Sequence, residues 1–139
     1  MTRAWRIVAV AVLVLAPIAA AAAARGPATG DSAVYQKCLD ESGGVDPVMK
    51  LCGKDEIARQ DKILNADYAR LRAKLTPELK SDLQKAERAF LAYREAQCRF
   101  AYNQKSPGTM AGLLYQSCVL DLTAARIKAL REAAEMVNP

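Results

Sequence analysis

The chain has 139 residues and contains no histidine. Histidine is the side chain that titrates near neutral pH and the commonest metal ligand, so its absence removes every Ser-His and Cys-His nucleophile pair. The sequence also lacks a glycine-rich phosphate-binding loop and a C-x-x-C pair, which mark nucleotide sites and zinc sites respectively. We therefore expect a protein that is not an enzyme and that holds neither a metal nor another cofactor.

A strong excess of charge of either sign is also missing. Twenty Lys and Arg oppose fifteen Asp and Glu, which gives a net charge of +5. That charge falls to +3 if residues 1–24, with Arg3 and Arg6, are removed. A small excess that is spread along the chain does not indicate a nucleic-acid-binding surface. The alternation of signs instead predicts solvated helix faces.

The N-terminus combines a short basic segment, an apolar stretch over residues 7–18 and a run of alanines that ends at Ala24. This order is typical of a secretory signal peptide. We expect cleavage near Ala24, a flexible leader over residues 25–31 and one domain over residues 32–139, in the periplasm or outside the cell. The alternative is an uncleaved membrane anchor, because residues 7–24 carry no charge and are nearly long enough to span a bilayer.

Four cysteines follow this segment: Cys38, Cys52, Cys98 and Cys118. Export to an oxidising compartment and an even cysteine count predict two disulfides and no free thiol. Helical phase turns Cys52 toward the first helix, and Cys98 lies beside the start of the last helix, which favours Cys38–Cys52 with Cys98–Cys118. The alternative connectivity is Cys52–Cys98 with Cys38–Cys118. It stays open because Cys52 and Cys98 are almost equally far along the chain from the turn at Thr76.

Helix start and stop signals divide the rest of the chain into four segments. Ser32 caps the first, which ends at Gly43-Gly44. Asp46 and Thr76, each followed by a proline at the first helical position, cap the second and third. A turn over residues 103–108 precedes the fourth, which Ser106 or Thr109 caps. Apolar residues recur at intervals of three and four through the longer segments. The prediction is an all-α, disulfide-stapled bundle of one short and three longer antiparallel helices.

Charged side chains interrupt the apolar stripes of these helices, and a lone buried charge needs a partner. Asp61 lies in the stripe of the second helix, and Arg94 lies at the edge of that of the third. In a hairpin about Thr76 the two differ in level by only about 4.5 Å, at about 1.5 Å per residue. We expect a buried structural network of five side chains: Asp61, Asn65, Arg88, Arg94 and Arg126.

The same residues carry a resemblance to a known family. The second helix reads Glu56-x4-Asp61-x2-Leu64-Asn65-x2-Tyr68-x2-Leu71-x3-Leu75, which resembles the first half of the LprI-type lysozyme inhibitor N-terminal domain. The third helix contains Leu83-x2-Ala86-Glu87-Arg88-Ala89-Phe90-x2-Tyr93-Arg94-x3-Cys98, which looks like the second half of that domain. The fourth helix contains Cys118-x3-Leu122-Thr123-x2-Arg126-x3-Leu130, which resembles its closing segment. The resemblance covers residues 38–130. This chain has Glu87 and Phe90 where the family usually has glutamine and tryptophan, and Ser106-Pro107-Gly108-Thr109 where it often has a glycine pair followed by serine. The family's named inhibitor is a lipoprotein, and this chain lacks the lipidation cysteine.

The resemblance implies a secreted or periplasmic protein that binds lysozyme and blocks it without catalysis. Lysozymes cleave peptidoglycan with two carboxyl groups in an open cleft, so an inhibitor needs a rigid scaffold and a segment that reaches them. We expect that segment in the connection between the last two helices, with Lys105 as the partner of a carboxyl group. The candidate contact residues are Asn103, Lys105, Ser106, Gly108 and Thr109.

Other functions remain open from the sequence. The scaffold also suits an envelope protein-interaction module with another partner, and the connection can be no more than a link between helices. An enzyme would have to use one of the acids Glu56, Asp61 or Glu87. A net charge of +3 would slow the encounter with a basic lysozyme unless an acidic patch lies at the contact.

Overall fold

The computed structural model describes residues 31–104 and 108–137, without the side chain of Thr109. Four helices make up this part of the chain: α1 (Ala33–Glu41), α2 (Asp46–Ala73), α3 (Pro77–Asn103) and α4 (Thr109–Met136). The prediction of an all-α bundle with one short and three longer helices is confirmed. The predicted signal peptide, and all of the predicted leader except Asp31, lie outside the described residues.

The helix starts at Ser32 and Thr76 follow the local sequence signals. The Ser32 side chain accepts a hydrogen bond from the Tyr35 backbone N–H at 3.0 Å, and Thr76 accepts one from Leu79 at 3.5 Å. Each bond satisfies a backbone donor that has no partner inside the helix. After α1 the backbone turns through Gly43 and Gly44 at φ values of 59° and 78°, a region in which a side chain is strained.

Two predicted caps are wrong. The N-cap of α2 is Val45, so Asp46 is already helical, and its carboxylate accepts a hydrogen bond from Lys50 Nζ at 2.8 Å. Proline remains in the first turn of α2, where it costs no hydrogen bond. The N-cap of α4 is Gly108 and not Thr109 or Ser106.

The helix α4 is the centre of the bundle, because it packs closely against both α2 and α3. It runs parallel to α2: Gln116 donates to the Lys50 carbonyl at 2.9 Å near the starts of the two helices, and Arg131 donates to Asp67 at 2.7 Å near their ends. The helix α3 is antiparallel to both, and α1 packs against the first turns of α2.

The inward faces are rotated from the predicted stripes because α4 covers α2 and α3 together. On α2 the buried line is Cys52, Gly53, Glu56, Gln60, Leu64, Asp67 and Leu71. On α3 it passes inward through Phe90, Arg94 and Cys98, while Leu79 and Tyr93 are exposed. The predicted polar network assumed that α2 faces α3, whereas α2 mainly faces α4.

The two ends of the bundle are held differently. Near the α2–α3 turn the core cluster is apolar and consists of Leu64, Leu71, Ile127 and Leu130. At the other end two disulfides join the helices: Cys38–Cys52 links α1 to α2, and Cys98–Cys118 links α3 to α4. These are the pairs that helical phase favoured, and the chain has no free cysteine.

Candidate functional site

The predicted pair of Asp61 and Arg94 is present, but it is not fully buried. Arg94 Nη1 donates to Asp61 Oδ1 and to Thr123 Oγ1, both at 2.7 Å, so it connects α3 to α2 and α4. The Arg94 side chain is 16% exposed and that of Asp61 is 38% exposed. The prediction of a buried Asp61 is therefore wrong, because its carboxylate lies at the rim of the α2–α3 contact.

Arg126 takes part in a second ion pair, with Glu87, which the predicted network did not include. Its Nε donates to Glu87 Oε2 at 2.9 Å across the α3–α4 contact, and both side chains are largely buried. Both arginines lie over the Phe90 ring, with Cζ of Arg94 at 5.8 Å and Cζ of Arg126 at 5.6 Å from its centroid. Both cations are close enough for attraction to the ring face.

Asn65 and Arg88 do not join this network. Both are exposed in the structure. At about 100° per residue, Arg88 lies roughly 120° around α3 from Arg94, so the two cannot point to the same side. The predicted network of five residues is therefore two separate ion pairs that share the Phe90 ring.

Sequence interpretation missed a line of buried polar residues on α2, formed by Glu56, Gln60 and Asp67. Glu56 accepts hydrogen bonds from the Ser32 backbone N–H at 3.1 Å, from the Ser32 hydroxyl at 2.7 Å and from Gln60 at 3.1 Å, and it also pairs with Arg59. Burial by itself would raise the pKa of Glu56, but the bonds from Arg59, Ser32 and Gln60 together lower it below its ordinary value. Glu56 thereby ties the start of α1 to α2.

Asp67 is the second acidic residue of this line, with a side chain that is 3% exposed. Arg131 of α4 donates to it at 2.7 Å, and Arg70 lies 2.9 Å away. The sequence does contain one pattern that indicates this buried line on α2. Gly53, Glu56, Gln60, Leu64, Asp67 and Leu71 recur at intervals of three and four, but their mixed polarity conceals the pattern.

The carboxylates that an enzyme would need are engaged in structural contacts. Glu56, Asp61 and Glu87 are each paired with an arginine. Among the residues that the structure describes, no cluster of Cys, Asp and Glu could hold a metal ion. These carboxylates therefore connect helices within the described part of the bundle.

The predicted contact connection is only partly described. Asn103 ends α3 and is exposed, and Gly108 is exposed before α4. Lys105, Ser106 and the side chain of Thr109 lie outside the described residues. The helix ends on either side of the connection carry exposed apolar side chains: Phe100, Tyr102 and Met110.

Beside the connection, the ends of α3 and α4 enclose a cleft of about 240 Å³ lined by Arg99, Tyr102, Gly112 and Tyr115. The Tyr115 hydroxyl donates to Glu95 at 2.7 Å, and Arg99 pairs with the same carboxylate. These bonds, from Tyr115 first and then from Arg99, lower the pKa of Glu95. The polar side chains at the rim of the cleft are therefore held in place.

No helix in residues 31–104 or 108–137 is both long and apolar enough to cross a membrane.

Comparison with known proteins gives one family and one relative. The family model described as "Lysozyme inhibitor LprI" matches residues 38–130, from the middle of α1 into the last turns of α4. An uncharacterized protein of Rhizobium meliloti (strain 1021), R02472, is 38% identical over 53 residues, which cover 38% of this chain and 38% of that protein. No solved structure matches the chain. The family match spans two thirds of the sequence and both disulfides, and the chain belongs to the LprI lysozyme inhibitor family.

Proposed function

We propose that this protein is an exported inhibitor that binds a lysozyme and blocks cleavage of peptidoglycan without catalysis of its own. The observation that carries the proposal is the family match over residues 38–130. That segment includes both disulfides and, of the three arginine–carboxylate pairs that join long helices in the described part of the chain, the two formed by Asp61 with Arg94 and by Glu87 with Arg126.

The construction of the bundle supports a role in binding. Covalent links and buried ion pairs fix the relative positions of the helices, so little conformational entropy is lost when a partner docks. The ionised groups in the interior are already paired, so the partner contacts the outside. Lysozyme offers two carboxyl groups in an open cleft, and a cationic segment that enters it would compete with substrate.

For that segment we propose the connection between α3 and α4, with Asn103, Lys105, Ser106, Gly108 and Thr109 as contact residues. It lies between two helix ends that the Cys98–Cys118 disulfide joins. Lys105 would form a charge-assisted hydrogen bond with a carboxyl group of the cleft. We also propose that residues 1–24 direct export and are removed, since disulfides persist in the periplasm and outside the cell.

The test uses protein that is exported by its own N-terminus and purified from the periplasmic or extracellular fraction. It is titrated into lysozymes of several structural classes while lysis of bacterial cell walls is followed. We expect dose-dependent inhibition of at least one class and no lysis by the protein alone. Wild-type protein that inhibits no class would contradict the proposal and favour an envelope protein-interaction module. N-terminal sequencing of the same sample checks cleavage near Ala24.

Lys105→Ala tests the connection separately. Loss of one charge-assisted hydrogen bond weakens binding by about 1.5–3 kcal/mol, or roughly 10- to 150-fold. The melting temperature should stay nearly the same, because an exposed substitution changes stability by about 0.5 kcal/mol at most. Unchanged inhibition by this variant, and by one with the whole connection replaced by Gly and Ser, would exclude the connection.

A further inference from the structure

An exposed face formed by α1 and the first turns of α2 has no partner within the described part of the chain. We call it the α1–α2 face and define it by Val34, Val48, Leu51 and Asp55. Val34 is 73% exposed, Leu51 60% and Val48 40%. Exposed apolar side chains are ordinary one at a time, but a group of them rimmed by polar residues marks an interaction site.

Two observations place these residues on one side of the molecule. Val48, Leu51 and Asp55 follow one another on α2 at intervals of three and four, so they share one side of that helix. Val34 and Asp55 line the same small cavity, of about 150 Å³, between α1 and α2. The α1–α2 face is therefore continuous across the two helices.

The rest of the bundle cannot cover this face. The side of α2 that meets α4 is marked by Gly53, where an added Cβ would lie 2.5 Å from Gln116 Oε1. Leu51 lies about 160° around α2 from Gly53, at roughly 100° per residue. It therefore points away from α4.

The face is also held rigidly. Cys38–Cys52 joins the middle of α1 to α2. The backbone N–H and hydroxyl of Ser32 both bond to Glu56, which fixes the start of α1. A nine-residue helix would be marginal alone, and these links keep it in one position before any partner arrives. Preorganisation of this kind reduces the ordering cost of binding.

The charge of the region indicates what the partner is. Residues 31–60 contain six acids and four bases, a net charge of −2, whereas the other described residues contain nine acids and twelve bases, a net charge of +3. Three of the four bases are already paired with acids of the same segment: Lys37 with Glu41, Lys50 with Asp46 and Arg59 with Glu56. The partner of such a face carries positive charge.

A residue of α4 adds to this negative field. Asp121 is close enough to Asp31 that its pKa is raised, first by partial burial and then by the charge of Asp31. The protein as a whole is cationic, but the segment of residues 31–60 is not.

We propose that the α1–α2 face is a contact surface for the inhibited lysozyme, and that this lysozyme is a basic one. The inference rests on the proposed function and deepens it. Val34, Val48 and Leu51 form the desolvated centre of the contact, and Asp55 with the neighbouring acids steers the encounter. The face lies at the same end of the bundle as the α3–α4 connection, since the start of α2 packs beside the start of α4.

The test compares Leu51→Arg with Leu79→Arg, which makes the same change at a position on α3 that is 50% exposed. Val34→Arg is a second variant, in case one substitution on α2 disturbs the fold. Association and dissociation rates with a basic lysozyme are measured by biosensor, with circular dichroism to show that each variant is folded. We expect Leu51→Arg and Val34→Arg to weaken binding at least tenfold and Leu79→Arg to stay within twofold of wild type.

Asp55→Lys tests steering, with Asp82→Lys as its control, because Asp82 is an exposed acid near the start of α3. We expect Asp55→Lys to slow association several-fold at low salt, with the difference disappearing at high salt because screening removes it. If the wild type inhibits and both Leu51→Arg and Val34→Arg still inhibit fully, the inference is overturned and the proposed function stands. Selective inhibition of acidic lysozymes would also overturn it, whereas no inhibition of any lysozyme would refute the proposed function itself.

Discussion

The two ends of the bundle reach stability by different chemistry. Near the α2–α3 turn, Leu64, Leu71, Ile127 and Leu130 pack into one cluster. At the end that carries α1, the buried line on α2 includes Glu56 and Gln60, and disulfides take over the joining of helices. A buried leucine contributes about 1.5–3 kcal/mol and a disulfide about 2–4 kcal/mol. The comparison teaches that disulfides and buried polar contacts can take the place of apolar burial in holding helices together.

The largest expected effect is at the apolar end. Leu64→Ala should lower the free energy of unfolding by about 2–5 kcal/mol, because it removes buried atoms and leaves a cavity. Leu79→Ala is the matched control, since Leu79 is half exposed, and it should change stability by about 0.5 kcal/mol or less. Urea unfolding of both variants measures the difference. Equal midpoints for the two variants would mean that the apolar cluster does not support the bundle.

Removal of Cys98–Cys118 should have the next largest effect. The bridge closes a loop with a sequence separation of 20, and loss of such a constraint costs about 3 kcal/mol in the chain-entropy account. The double variant Cys98→Ala with Cys118→Ala avoids a free thiol, and thermal unfolding gives the shift. Little or no shift would show that apolar and polar contacts already hold this end.

Between the two ends, Asp61→Ala tests the contact that connects all three long helices. Arg94 would lose a charged partner but keep Thr123 and access to solvent. We expect a loss of about 1.5–3 kcal/mol, smaller than for a fully buried pair. The double variant Asp61→Ala with Arg94→Met separates the pair energy from the cost of an unpaired arginine. If Asp61→Ala melts at the same temperature as wild type, the Asp61–Arg94 pair contributes no more to stability than a surface ion pair does.

The smallest expected effect is a dependence of stability on pH, and it arises at the end of the bundle that carries α1. Hydrogen bonds lower the pKa of Glu56 below its ordinary value of 4.5. A depressed pKa contributes stability that is present above pH 4.5 and disappears as the pH falls through the folded-state value. Wild type should therefore be more stable than Glu56→Gln at pH 7, and the difference should shrink below pH 4.5. Melting curves from pH 7 to pH 3 show whether it does, and a difference that grows on acidification would have the wrong sign.

Much of the fold follows from local sequence signals. Ser32, Gly43-Gly44, Thr76 and the proline positions give helix boundaries to within a few residues because capping depends on neighbouring residues alone. Helical phase also favours the observed disulfides. Asp61 meets Arg94 as predicted, because the α2–α3 hairpin fixes their level along the axis.

The sequence predicted less well which side of each helix faces the core, that is, the rotation of the helix about its axis. It depends on which helices are neighbours, and α4 packs against both others, which no local pattern reveals. The buried polar line of Glu56, Gln60 and Asp67 was missed for this reason. Apolar periodicity does not reveal such residues, whose burial is tolerated because ion pairs and hydrogen bonds offset its cost. The partner surface is harder still, since it depends on the chemistry of another molecule.

The order of the cysteines along the chain has a consequence for biogenesis. Cys38 joins Cys52, and Cys98 joins Cys118, so each disulfide connects consecutive cysteines. In a chain that is exported N-terminus first, Cys38 and Cys52 reach an oxidase before the other two thiols, and the native pair is then the only pair available. The same holds for Cys98 and Cys118 once the first bridge is closed. Oxidation in order of arrival thus yields the native connectivity directly, without the slow exchange of mispaired bridges that an isomerase catalyses.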